Sequence, residues 1–156
     1  MTFNEFMLMI EVVKEKNPHL FDLERDAVVD DSVVSVGEQK YGIIFPECYK
    51  NFVRNFGGGC FGYIIVYSLD SFGLYNMLEH VSKDMICKMQ MLPVIDLETG
   101  DYIGFDIIGG KCLDRIVYWE HDSEEKKIIN AGFYEILINM GLYNASVSQD
   151  GYLIDH

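Results

Sequence analysis

The chain has 156 residues, of which 49% are hydrophobic and 13% aromatic, so one domain can bury a substantial core without cross-links. Its formal net charge of −13 argues against direct binding to nucleic acid or to an anionic membrane, because like charges repel. The same charge would speed the encounter with a basic protein, although acidity alone does not establish such a partner.

The N-terminal segment predicts two helices separated by an acidic loop. Thr2 and Glu5 form a capping-box pattern at the start of a helix over residues 2–16, which ends before Pro18. The loop contains a short extended piece at residues 27–29. A second helix follows, capped by Asp31 or Ser32, and ends at Tyr41 with Gly42 in the position where a left-handed residue stops helices.

A third helix and an apolar strand form the next unit, with three glycines between them. The helix starts at Pro46 and Gly57 stops it; its apolar face carries Tyr49, Phe52, Val53 and Phe56. The stretch "CFGYIIVYSL" is apolar on both alternating faces, which is typical of a central strand covered on two sides. We expect it to be the most buried strand.

The remainder predicts a helix, three strands and a last helix. A fourth helix starts at Asp70-Ser71 and extends to about Met85. The strands are "MLPVID", "DYIGFDII" and "RIVYWEH", joined by a hairpin turn at "LETG" and by a looser connection at "GGKCLD". The last helix covers about residues 128–140. These elements predict one α+β domain over residues 1–156, with a mostly antiparallel mixed sheet of about four to six strands packed against several helices.

The glycine corner, Gly57-Gly58-Gly59, raises the question of a phosphate-binding loop. Such loops run from strand to glycines to helix, so that helix N-terminal amides face the phosphates. Here the order is helix, glycines, strand, and a helix C-terminus carries partial negative charge. A structural turn is therefore favoured over an anion site.

Catalytic and metal-binding patterns are weak. The histidines do not have two-histidine metal spacing, and the carboxylates do not have the ligand spacing of an EF-hand loop. Cys60 could act as a nucleophile with His121 as its base, but nothing in the sequence brings them together, and a structural thiol is favoured. We therefore predict no catalytic residues, no metal and no cofactor.

Acidic and aromatic residues alternate in the predicted strands. The simplest interpretation is a solvated acidic rim with ordinary sheet packing. The alternative is a surface that binds a basic protein, with aromatic anchors and carboxylates that steer the encounter. The candidate partner-binding residues are Asp96, Glu98, Asp101, Asp106, Trp119 and Glu120.

The cysteines and the hydropathy suggest a compartment. The four cysteines are widely spaced and the N-terminal segment lacks the basic start of an export signal, so we expect reduced thiols in the cytoplasm. The longest apolar run, Phe61 to Leu69, is about half of what a membrane helix needs.

The stretch "VVSVGEQKYGIIFPECYKNFVRNFGGG" resembles the signature of the SUKH superfamily, which includes fungal regulators of cell-wall glucan synthesis and many bacterial immunity proteins. The matching positions include Glu38, Pro46, Tyr49, Phe52, Gly57 and Gly58. Tyr41 and Phe45 replace leucines of the pattern, and Phe56 replaces the Asn before its glycines. The order of the later strands and the last helix extends the resemblance to about residues 30–140.

This resemblance implies a binding protein rather than an enzyme. Bacterial members are typically encoded beside toxins and neutralise them by binding in the cytoplasm, often against nucleases. A nuclease needs a basic surface, which an acidic inhibitor can cover. The expected partner is thus a cognate, basic toxin protein; the alternative is a regulatory or scaffold domain like the fungal members. The sequence leaves the oligomeric state open.

Overall fold

The computed structural model describes residues 1–155 and confirms the α+β fold class. A seven-stranded sheet, one strand more than expected, carries the helices, and its spatial order repeats the chain order from β1 to β7 with all neighbours antiparallel. The strands are β1 Arg25–Asp26, β2 Gly58–Phe61, β3 Ile64–Val66, β4 Met91–Asp96, β5 Tyr102–Ile108, β6 Lys111–Glu120 and β7 Glu125–Ile128. A separate pair is β8 Ser146–Val147 with β9 Leu153–Ile154.

The helices precede and follow these strands. They are α1 Phe3–Lys16, α2 Asp31–Tyr41, α3 Glu47–Asn55, α4 Met77–His80, α5 Lys83–Met89 and α6 Phe133–Ile136. A 3₁₀ turn, Pro18–Phe21, follows α1, and α6 runs on as a π-helical segment, Leu137–Leu142.

The helix starts and stops follow local chemistry. The predicted capping box between Thr2 and Glu5 is present, with both hydrogen bonds made. Asp30, one residue before the expected cap, accepts the Val33 N–H and caps α2. Gly42 ends α2 with φ 68°, as predicted.

The main core lies between one face of the sheet and the helices α1, α3 and α6. Aromatic rings dominate it: Phe6 stacks on Tyr134, and Phe105 packs against Phe133. A smaller cluster on β4, β6 and the end of α5 contains Met89, Met91, Val117 and Trp119.

The prediction of one central strand in "CFGYIIVYSL" is wrong. The stretch folds back on itself as the hairpin β2–β3, in which Phe61 pairs with Ile64. Gly62, with φ 58°, starts the two-residue turn, which a residue with a side chain would adopt only under strain. β4 is instead the middle strand and is buried at five of its six positions.

Three further boundaries differ from the prediction. The first extended piece is Arg25–Asp26 rather than residues 27–29, because it pairs with the glycine corner. The fourth helix does not start at Asp70-Ser71; it begins at Met77 and is split into α4 and α5, since Asn76 and Ser82 each accept a backbone N–H as separate caps. Residues 125–128 form β7, and the last helix therefore starts at Phe133.

Candidate functional site

The connection between α2 and α3 is held by one side chain of the signature stretch. The Glu38 carboxylate accepts the Phe45 N–H at 2.7 Å and lies 3.3 Å from the Lys50 ammonium. Both charged side chains are largely buried, with 13% and 17% of their surfaces exposed. Pro46 then begins α3 as its N-cap. Glu38 and Pro46 thus shape this turn.

The aromatic members of the signature are core residues. Tyr49 is fully buried and donates its hydroxyl to the Tyr67 carbonyl at 2.6 Å, which ties α3 to the end of β3. Phe52 is also buried and packs edge-on against Phe61 and Phe133. Their role in this structure is to fix α3 on the sheet.

The glycine corner is a packed joint. Gly57 has φ 79°, and a Cβ there would lie 2.3 Å from the Asp26 carbonyl oxygen. A Cβ on Gly58 would lie 2.7 Å from Cβ of Ser68. β1 can therefore pair with β2 at this point only because these residues are glycines and have no side chains.

A groove of about 740 Å³ opens between the α2–α3 turn and the start of β6. Three apolar residues of the turn line the groove. Ile43 and Phe45 are buried, whereas Ile44 is 69% exposed. The facing wall is Gly110 to Asp114, at the tip of the β5–β6 hairpin. The groove combines apolar surface with the carboxylates of Glu38, Glu47 and Asp114 and the ammonium of Lys111.

The groove has no reactive thiol, although two cysteines lie in or beside it. Burial raises the pKa of Cys48 and of Cys112 to about 12, and the nearby Asp114 carboxylate acts in the same direction. Both thiols are therefore protonated at neutral pH and lack the nucleophilic thiolate form. The groove suits binding of a complementary surface rather than covalent chemistry.

Four of the predicted partner-binding acids lie around the β4–β5 turn and the end of β6. Glu98 and Glu120 are exposed. Asp96 accepts the Tyr67 hydroxyl at 2.8 Å. Asp101 accepts the Tyr118 hydroxyl at 2.6 Å and pairs with His121.

The Asp101 pair has a definite charge state. Burial acts to raise the pKa of Asp101, but hydrogen bonds from Tyr118 and His121 outweigh it and lower the pKa. The hydrogen bond between His121 and Asp101 also raises the pKa of His121. Asp101 is thus an ionised carboxylate engaged within the chain.

Asp106 and Trp119 lie below the surface. Asp106 is 3% exposed and accepts hydrogen bonds from Arg115 and Lys126 at 2.6 and 2.7 Å. Trp119 is 6% exposed and belongs to the smaller apolar cluster. The structure therefore leaves Asp96, Glu98, Asp101 and Glu120 as the members of the predicted set at or near the surface.

The alternative dyad is not assembled. Cys60 lies on β2, with its sulfur 3.8 Å from the Tyr75 hydroxyl, whereas His121 follows β6. Four strand spacings separate β2 from β6, or about 19 Å. Within residues 1–155, no three His, Cys, Asp or Glu side chains are grouped so that they could hold a metal ion.

The sequence did not reveal the wall that β6 contributes to the groove. The prediction of a loose connection at "GGKCLD" is wrong, because Gly109-Gly110 forms a tight turn and β6 starts at Lys111. The glycine pair is itself a hairpin signal, with φ of 59° and 78°. No local sequence pattern predicts that this hairpin lies opposite residues 42–46.

One family model matches most of the chain. The SUKH_6 family model, described as SMI1-KNR4 cell-wall, matches residues 31–137, which include every residue that lines the groove. No curated protein matches the chain. Of the helices in the described part of the chain, none has the length and apolar character needed to cross a membrane.

Proposed function

The chain belongs to the SUKH superfamily through its SMI1-KNR4 match, and on that premise we propose that it is an immunity protein that neutralises a cognate toxin by direct binding. The family as a whole consists of immunity proteins and regulators, which act by binding. In this proposal the chain has no catalytic role and needs no cofactor. Its place of action is the cytoplasm, where it meets the toxin.

The groove is the observation that carries this proposal. The wall formed by the α2–α3 turn consists of signature residues between Glu38 and Glu47. Ile44 projects from that wall with 69% of its surface exposed. Glu38 and Lys50 hold the turn in one shape before a partner arrives. A preformed concave surface with an exposed aliphatic side chain suits binding of a protein segment, because little ordering is required.

The charge favours a basic toxin, such as a nuclease. A protein with a net charge of −13 attracts a cationic surface over a distance of about one Debye length, roughly 8 Å at physiological salt. The exposed carboxylates of Glu47, Glu98 and Glu120 provide such attraction on the surface. An acidic inhibitor on the nucleic-acid-binding surface of a nuclease would exclude the substrate.

A regulatory function is the second candidate, favoured by the description of the matching family model, SMI1-KNR4 cell-wall. In that case the chain would bind cellular proteins as a scaffold and would give no protection against a toxin.

Co-expression separates these functions. If the neighbouring gene encodes a protein with a toxic C-terminal domain, cells that produce this domain should survive when the chain is co-expressed, and the two purified proteins should form a complex. Ile44→Lys, which changes the groove surface at an exposed position, should protect and bind less well, and Leu8→Lys, at an exposed position on α1, is its matched control. Failure of the wild-type chain both to protect and to bind would overturn the proposal and favour the regulatory candidate.

A further inference from the structure

Phe72 is the most exposed large hydrophobic residue in the described chain, at 97%. It lies in the connection between β3 and α4, here named the 70–76 loop, and Leu74 of the same loop is 66% exposed. Isolated apolar side chains are common on protein surfaces, so exposure alone indicates little. The way in which the chain holds this loop is the more informative feature.

One aspartate fixes the start of the loop. The two carboxylate oxygens of Asp70 accept the Ala27 N–H at 3.0 Å and the Phe72 N–H at 3.1 Å. The Asp70 carbonyl also accepts the Gly73 N–H at 3.0 Å. Asp70 thereby holds the backbone of Phe72 and of Gly73. Through Ala27 it is also bonded to the chain just after β1.

A second, buried aspartate fixes the end of the loop. The Asp26 carboxylate accepts the Ser68 hydroxyl at 2.6 Å and the Tyr75 N–H at 2.9 Å. Gly73 passes so close to it that a Cβ would lie 2.2 Å from the carboxylate. The His80 ring adds a 2.7 Å hydrogen bond to the Leu74 carbonyl. The loop thus presents Phe72 from a backbone held at both ends.

A rigid, exposed aromatic side chain is an effective binding anchor. It buries a large apolar area on contact, and a backbone that is already ordered loses little entropy when it binds. Aromatic residues are accordingly enriched in the central contacts of protein interfaces. Nothing within the described chain covers Phe72, so its burial requires another molecule.

The surroundings indicate the chemistry of that molecule. Leu23 and Val28, on either side of β1, are also exposed, at 42% and 57%. Glu24 and Glu79 are exposed acids on the adjoining segments, and Arg25 is the one Lys or Arg within residues 22–31 and 70–80. The complementary surface is an apolar pocket bordered by basic side chains.

The anchor and the groove lie on connected elements. The loop leads directly into α4, and the Tyr41 hydroxyl at the end of α2 donates to the Met77 and Val81 carbonyls of that helix at 3.1 and 2.7 Å. α2 also supplies Glu38 to the groove. The groove and the loop are thus linked through α2 and α4.

We propose that Phe72 is the anchor residue of the partner interface: it inserts into an apolar pocket, bordered by Lys or Arg side chains, on the basic toxin. This inference rests on the proposed function and adds the contact that determines how long the complex lasts. Loss of the ring should accelerate dissociation more than it slows association.

Phe72→Ala tests the proposal against the matched control Leu8→Ala, which removes an apolar side chain that is 68% exposed on α1. The probe is the purified C-terminal domain of the protein encoded by the neighbouring gene, the candidate toxin, and binding is followed by surface plasmon resonance. We expect Phe72→Ala to weaken binding by about 30-fold or more, mainly through faster dissociation, and Leu8→Ala to change it less than about twofold. Phe72→Tyr should retain most of the affinity. Thermal melting should show the same stability for all the variants.

Three other outcomes would overturn the proposal. Equal affinity of Phe72→Ala and wild type would show that the toxin does not use this anchor, with the proposed function intact. A wild-type dimer in sedimentation that Phe72→Ala converts to a monomer would assign the anchor to a second copy of this chain. Absence of wild-type binding would refute the proposed function, and the anchor role would fall with it.

Discussion

The Glu38 carboxylate and the Phe45 backbone N–H, seven residues apart in the chain, form a 2.7 Å hydrogen bond that closes the turn between α2 and α3. The Lys50 ammonium approaches the same carboxylate from α3. A glutamate in the signature stretch therefore shapes the wall of the groove from within. It is too enclosed to be the main contact for a partner.

Glu38→Ala should destabilise the fold by about 1–3 kcal/mol. The substitution leaves the Phe45 N–H without its acceptor and the largely buried Lys50 without its counter-ion. Urea unfolding measures the change. Glu47→Ala is the control, since that side chain is 70% exposed, and should change stability by less than about 0.5 kcal/mol. Equal effects would contradict a structural role for Glu38.

Gly57→Ala and Gly110→Ala separate backbone strain from crowding. The two residues have nearly the same φ, 79° and 78°, but a Cβ would meet the Asp26 carbonyl at 2.3 Å in the first case and nothing within 4 Å in the second. Gly110→Ala should cost about 1 kcal/mol and Gly57→Ala roughly 3 kcal/mol or more. Similar melting temperatures for both variants would show that the corner is not a packed joint.

The Asp106 carboxylate should make stability depend on pH. Burial alone would raise its pKa, but hydrogen bonds from Lys126 and Arg115 outweigh that effect and lower it. A lowered folded-state pKa means that the stabilisation is present above the unfolded value of about 3.9 and is lost as the pH falls through the folded value.

Asp106→Asn should therefore destabilise the protein by about 2 kcal/mol at pH 7, with the difference from wild type shrinking as the pH falls below about 4. Denaturant unfolding between pH 3 and pH 7 measures this. Glu11→Gln, an exposed carboxylate-to-amide change in α1, provides the baseline. A difference that stays constant over this range would contradict the ion-pair account.

Ile44→Lys should weaken toxin binding without changing stability. The side chain is 69% exposed beside the groove, so the fold does not depend on it, whereas a cation there would face a basic partner. We expect an affinity loss of at least about tenfold. Leu8→Lys adds the same charge on α1 and should have a smaller effect. Equal losses for the two variants would indicate a general charge effect and not a specific groove contact.

Local chemistry explains which elements the sequence revealed. The Thr2–Glu5 capping box, the Gly42 stop and the apolar face of α3 depend on neighbours within one or two turns, and the structure confirms them. The hairpin at Gly62 was missed because its strands are short and apolar on both faces, so periodicity could not separate them. Its glycine was the available signal.

The candidate site depended on long-range placement. The groove brings residues 42–46 opposite residues 110–114, and this meeting follows from the order of strands in the sheet, not from a local pattern. Likewise, acidic residues that look alike in the sequence differ in the fold. Asp106 is buried between two cations, whereas Glu98 is exposed.

Titration calorimetry of the chain against the toxin domain, at low and at high salt, tests the central claim most directly. We predict a one-to-one complex whose dissociation constant rises by at least about tenfold between about 0.05 and 0.5 M salt, because a net charge of −13 meets a basic surface. Absence of a complex at low salt would contradict the immunity function. A complex whose affinity ignores salt would contradict the acidic-to-basic recognition on which the account rests.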